Sequence, residues 1–160
     1  TATEDRALSY FDGVLSAEDH AARAFGLLWR DQRTAAQRLL PRMSGADAAV
    51  VRARIAIQTR ARRGLQAAID AVPASRQDDP GLLFDRTEYR RRTDQPIEAM
   101  QMATRINARE APAYARDAIF RERRLYIPRA MRAGNYQLAY QLVTNHGLTS
   151  GESFPDAAWL

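Results

Sequence analysis

Helix start and stop signals recur along this chain at short intervals and divide it into many short helical segments. Ser16 precedes "AEDHAARAFGLLW" as an N-cap, with Asp19 three residues later at the capping-box position. Ser44 opens "GADAAVVRARIAIQ" in the same way. Asp79 caps a third segment, followed by Pro80 at the first helical position, where proline's missing N–H costs nothing. Pro41 ends "RTAAQRLL", and polar turns are predicted at Asp31-Gln32, Arg63-Gly64 and Thr93-Asp94. A longer helix is predicted over 111–134, kinked at Pro128 and ended by Gly134. "NYQLAYQLVTNHG" follows, with Gly147 in the left-handed position that closes a helix. Apolar residues inside the segments keep helical spacing, as Ala21, Ala24, Phe25, Leu28 and Trp29 do.

The segments alternate: a longer helix, a tight polar turn, then a shorter helix. Each shorter helix carries a small residue followed three positions later by another apolar one: Ala36/Leu39, Ala68/Ala71, Ala99/Met102 and Ala139/Leu142. The four alanines are spaced by 32, 31 and 40 residues, near the period of roughly 33–47 residues seen in helical-hairpin repeats. Small residues let neighbouring helices approach closely, and stacked hairpins bury a continuous core. The pattern predicts an all-α chain, a right-handed superhelix or α-solenoid of about four TPR-like helical hairpins, as one domain over 1–160.

Composition agrees, because alanine, arginine, leucine, glutamine and glutamate are all good helix formers. All 24 basic side chains are arginine, and the net charge of +5 favours an anionic partner such as nucleic acid, acidic lipid or an anionic glycan. The absence of cysteine excludes disulfides and thiol chemistry. No apolar run approaches the roughly 18 residues of a membrane span.

Little in the chain suggests chemistry. His20 and His146 have no second ligand at metal spacing, so neither a metal nor a cofactor is expected. No glycine-rich phosphate loop or nucleophile elbow is present. Asp78-Asp79 reads as helix capping ahead of Pro80. Two arginine runs form the candidate binding residues, a possible anionic contact surface of Arg90, Arg91, Arg92, Arg121, Arg123 and Arg124. The competing reading is solvated helix surface with Glu122 interleaved. The nearby Tyr89, Phe120 and Tyr126 read as core, and Phe25/Trp29 and Tyr136/Tyr140 have the i,i+4 spacing of core helices. No nucleic-acid recognition motif accompanies the arginines, so nucleic acid is not expected as a partner.

The end of the chain, "AYQLVTNHGLTSGESFPDAAWL", closely resembles the segment "AYxLxxxHGLTSGxxFxxAxWL" of alphaproteobacterial soluble lytic murein transglycosylases. Ala139, Tyr140, Leu142, His146 to Gly151, Phe154, Ala157, Trp159 and Leu160 carry the match. "LLWRDQRTAAQRLLP" and "VPASRQDDPGLLFDR" resemble upstream segments of that family. The resemblance implies a superhelical hairpin region lying before a catalytic domain. It also implies a periplasmic parent enzyme that cleaves the MurNAc–GlcNAc linkage of peptidoglycan, leaving a 1,6-anhydro product, with one glutamic acid as proton donor and acceptor.

The family's catalytic signature resembles "ESxFxPxAxS" followed by "GLMQ". Here Glu152-Ser153-Phe154-Pro155 lacks the intervening residues and no "GLMQ" occurs, so no catalytic residue is assigned. Ser153 and Asp156 instead suggest a capping box for a truncated last helix over 153–160, anchored by Phe154 and Trp159. The expected role is a non-catalytic scaffold, a fragment of a longer chain. Its partners would be the missing catalytic domain and peptidoglycan glycan strands or stem peptides. The alternative is a stand-alone helical-repeat adaptor for a protein partner.

Overall fold

The structure is a computed structural model that describes Arg6 and residues 14–159; residues 1–5, 7–13 and Leu160 lie outside the described residues. Among those described there are α-helices and short 3-10 turns and no strand, as the composition predicts. In order they are α1 (Ala17–Leu28), α2 (Arg33–Arg38), α3 (Gly45–Gln58), α4 (Leu65–Asp70), α5 (Pro80–Arg92) and α6 (Pro96–Arg105). Then come α7 (Ala113–Arg124), α8 (Ile127–Arg132), α9 (Tyr136–Val143) and α10 (Phe154–Trp159).

The predicted N-caps form. Ser16 and Asp19 exchange both bonds of a capping box, with Asp19 N–H donating to Ser16 Oγ at 3.1 Å and Ser16 N–H to Asp19 Oδ2 at 2.8 Å. Ser44 Oγ accepts from Asp47 N–H at 3.1 Å, and Asp79 Oδ1 accepts from Gly81 and Leu82 at 3.0 Å each.

The helices pack in chain-adjacent pairs: α1 on α2, α3 on α4, α5 on α6 and α8 on α9. All four pairs turn in the same way. Asp31, Arg60, Asp94 and Gly134 have φ of 58°, 51°, 59° and 68°. The next residue in each case, Gln32, Ala61, Gln95 or Asn135, donates its N–H to the carbonyl five positions back, at 2.9–3.0 Å. This is a Schellman stop, which satisfies a helix-end carbonyl that would otherwise be stranded.

In three pairs the second helix starts two residues after the left-handed one, at Arg33, Pro96 and Tyr136. Ala36, Ala99 and Ala139 then all fall five positions after the turn residue and are buried. The second pair differs. Its first helix stops at Arg60, ahead of the predicted Arg63-Gly64 turn, and α4 starts only at Leu65. The three extra residues move Ala68 and Ala71 out of register, so Ala68 is half-buried, Ala71 is exposed, and Val72 enters the core instead.

Arginine links between pairs recur at one spacing. Arg54 bonds Asp85, Arg91 bonds Glu122 and Arg116 bonds the Gly147 carbonyl, each across 31 residues; Arg124 bonds Asp156 across 32. A related clamp joins α3 to the turn before α5, where Arg76 pairs with both Asp47 and Asp79. Burial works against the charge on Asp47, but Ser44 and Arg76 outweigh it and hold the carboxyl below its usual range. A depressed folded-state pKa gives stability that is present above the unfolded value and lost as pH falls through the folded one. Asp47→Asn should therefore cost about 1 kcal/mol at neutral pH. Urea midpoints of the variant and the wild type should converge as pH falls through the folded-state value. A deficit unchanged by acid would refute the assignment.

Four expectations need correction. The segment 111–134 is not one kinked helix: α7 ends at Arg124, Leu125 and Tyr126 turn, and α8 starts anew with Pro128 in its first turn. The proline ring would clash with the Arg124 carbonyl, so the helix is interrupted rather than bent. The box at Ser153 and Asp156 does not form either. Ser153 N–H donates to Asp117 Oδ1 at 3.0 Å, and Asp156 pairs with Arg124. Trp159 is 92% exposed and anchors nothing; Ala157 packs with Phe120 and Leu148 instead. Tyr136 and Tyr140 are 66% exposed, so their spacing marks an outer face and not core.

Candidate functional site

The six candidate arginines separate. Arg91 spans α5 and α7, giving Glu122 two bonds at 2.7 and 2.8 Å, with Glu88 at 3.6 Å. Tyr126 O–H donates to the same carboxylate at 2.7 Å. Burial and Glu122 together push the Tyr126 phenol far above its usual range. Arg92 pairs with Glu88 at 2.6 Å; Arg121 reaches Asp117 at 3.3 Å and Glu152 at 3.9 Å; Arg124 pairs with Asp156.

Arg123 must be withdrawn from any contact surface, because it is 1% exposed. It donates to the carbonyls of Ala103 and Thr144 at 3.1 Å and closely to that of Ile106. Burial pushes its guanidinium down to about 10, so it is still charged at neutral pH. Arg91, Arg123 and Arg124 fasten helices to one another, while Arg92 and Arg121 pair with acids one turn away on their own helices. Arg90 has a neutral amide as its side-chain partner, Gln95 Oε1, at 2.9 Å.

Arg90 belongs to a groove of about 600 Å³ that the irregular second pair opens. Arg60, Ala61, Arg62 and Gly64 of the lengthened turn form one wall together with Leu65, Gln66 and Ile69 of α4. Arg86, Tyr89 and Arg90 of α5, with Gln95, form the other, and Ile57 lies between them. No carboxylate lines it. Arg86 is half-buried and donates to Gln77 Oε1 at 3.3 Å. Burial lowers its pKa, and repulsion from Arg90 and Arg105 lowers it further, against a weaker pull from Asp70 and Asp78.

Sequence reading passed over Arg60, Arg62 and Arg86. The available signal was Arg86 one helical turn before Arg90, beside "ARR" in a turn longer than its counterparts.

The segment that carries the family resemblance is built into the packing. His146 Nδ1 accepts Leu148 N–H at 2.9 Å while its ring meets Phe120 edge-on, 5.8 Å between centroids. Burial, with Arg109 and Arg123 nearby, keeps this imidazole less basic than usual, so it serves as a neutral acceptor. Gly147 (φ 64°) lies against Arg109 and Arg116, where a Cβ would come within 3.3 Å of both side chains. Arg116 donates to its carbonyl at 3.0 Å. Glu152 is 88% exposed, with Arg121 3.9 Å away, and is not enclosed in a cleft of the kind acid catalysis needs.

Among the described residues no three His, Cys, Asp or Glu side chains are grouped to hold a metal, and no helix is long and apolar enough to cross a membrane. Comparison with known protein families, with curated proteins and with solved structures gives no match.

Proposed function

We propose that this chain is a non-catalytic, superhelical hairpin-repeat scaffold of a periplasmic peptidoglycan lytic transglycosylase. The observation that carries the reading is how the segment Asn145–Ser153 is used. Its residues spend their hydrogen bonds on Arg116, Asp117 and one another, and its one carboxylate, Glu152, is exposed. A stretch that echoes a catalytic motif is thus bound into the joint between α7 and α10. The repeated Schellman turns and the arginine links at one-repeat separation support hairpins that dock in a common register, as a right-handed solenoid requires. The exposed Tyr136 and Tyr140 offer a face that a further hairpin or the catalytic domain would cover.

Two measurements test the proposal. Incubated with purified murein, this chain should release no anhydro-muropeptides detectable by mass spectrometry; release would overturn the non-catalytic assignment. The reading frame beyond Leu160 should continue into a domain bearing "ESxFxP" followed by "GLMQ". A stop codon directly after Leu160 would instead favour a free-standing adaptor.

A further inference from the structure

The groove between the second and third helix pairs gathers four arginines, Arg60, Arg62, Arg86 and Arg90, with no carboxylate in its lining. Four other arginines fasten elements together through carboxylates, at Arg54–Asp85, Arg76–Asp47, Arg91–Glu122 and Arg124–Asp156. In the groove, Arg86 and Arg90 hold only the neutral amides of Gln77 and Gln95, and Arg60 and Arg62 stand exposed on the opposite wall. The groove exists because the second turn carries three more residues than the others and α4 is displaced along its partner. We propose that it is a binding site for a small organic phosphate monoester, with its phosphate between Arg86 and Arg90 and its apolar body toward Tyr89, Leu65 and Ile69.

Charge and geometry select this ligand over a carboxylate. Side chains four residues apart on a helix are about 5–6 Å apart at Cβ, so Arg86 and Arg90 can reach one anion together. A carboxylate carries one charge and presents two oxygens. A phosphate monoester carries nearly two at neutral pH and presents three oxygens, enough for two arginines and a third from the facing wall. A volume of about 600 Å³ falls within the range of small-molecule sites, and Ile57, Leu65 and Ile69 supply the apolar lining such sites share. The half-buried Arg86 has lost part of its hydration in the free protein, so an incoming anion meets less resistance there than at a fully solvated arginine. The site does not depend on the scaffold reading, and its failure would leave that reading intact.

Calorimetric titration of the whole chain with phenyl phosphate tests the site. Saturable binding with one ligand per chain is expected. Affinity should fall as pH drops through about 6, where the dianion takes up a proton and loses one of its two charges. The double variant Arg86→Gln/Arg90→Gln should weaken binding by about tenfold or more, as loss of charge-assisted bonds implies. Arg62→Gln, in an exposed turn, should weaken it a few-fold without changing the melting temperature. Arg92→Gln, paired with Glu88 outside the groove, should leave affinity unaltered.

Benzoate, with the same ring and one charge, should bind at least about tenfold more weakly. Absence of saturable binding, equal affinity for benzoate, or indifference to both groove variants would overturn the proposal. So would tighter, groove-dependent binding of a single-stranded oligonucleotide, which would make the site a surface for a polymer.

Discussion

Replacing Arg123 with leucine is expected to lower the unfolding free energy by about 2–4 kcal/mol, although the side chain pairs with no carboxylate. Arg123 projects from α7 between the ends of two other helices. Its guanidinium donates to Ala103 in the last turn of α6, to Ile106 just beyond it, and to Thr144 at the end of α9. Helix C-termini leave carbonyls without intrahelical partners and carry partial negative charge. One buried cation therefore satisfies three acceptors, with the helix ends acting as its counter-charge. Leucine would strand the deepest two, at about 1–3 kcal/mol each, while relieving part of the cost of burying the charge. Urea denaturation of Arg123→Leu and Arg123→Lys separates these effects. Lysine keeps the charge but not the fork that reaches three carbonyls, so an intermediate loss is expected. A leucine variant as stable as wild type would refute the capping role.

What the sequence revealed and what it hid divide along the length of the interactions. Ser16, Ser44 and Asp79 were readable as caps because their partners lie two or three residues away. The stops at Asp31, Arg60 and Asp94 were not readable in that detail, because non-glycine residues adopt the left-handed conformation there and no composition signal marks Arg60. The error in the second turn followed directly: Gly64 drew the turn to itself, although the chain had already left α3 at Arg60 and Gly64 caps α4.

The arginine runs show the same limit. Their local density suggested a charged surface, while the acids that neutralise them, Glu122 and Asp156, lie 31 and 32 residues away from Arg91 and Arg124. Only a repeat-length view pairs them. Arg90 was in the predicted set and Arg86 lies one turn earlier on the same helix, but Arg60 and Arg62 come from an adjacent helix pair whose irregular turn was not foreseen.

Removing the carboxylate of Asp85 is expected to be the most damaging single change, costing about 3–5 kcal/mol for Asp85→Ala. Arg54 is 1% exposed and Asp85 4%, with Nε and Oδ2 2.7 Å apart, and they bind α3 to α5. Gln58 Nε2 donates to both Asp85 oxygens at 3.0 and 3.1 Å and also lies 3.3 Å from the Leu28 carbonyl, which brings in α1. Trp29 covers the guanidinium with 4.9 Å from Cζ to the ring centroid. Burial pushes the Asp85 carboxyl up, against the pull of Arg54 and Gln58.

Deleting one partner exposes the other to the full desolvation cost, whereas replacing both can be nearly neutral. Arg54→Met/Asp85→Leu should therefore be much less destabilised than Asp85→Ala. Gly81 supplies an independent check on the same contact. A Cβ there would lie 2.3 Å from Arg54 Nη1 and 2.6 Å from Cζ, and the guanidinium cannot retreat while Asp85 and Trp29 hold it. Gly81→Ala should cost about 1–3 kcal/mol in the wild-type chain, and most of that cost should vanish once Arg54 is methionine. Equal penalties for Gly81→Ala in the two backgrounds, measured by urea unfolding, would mean that the buried arginine is not what requires glycine at this position.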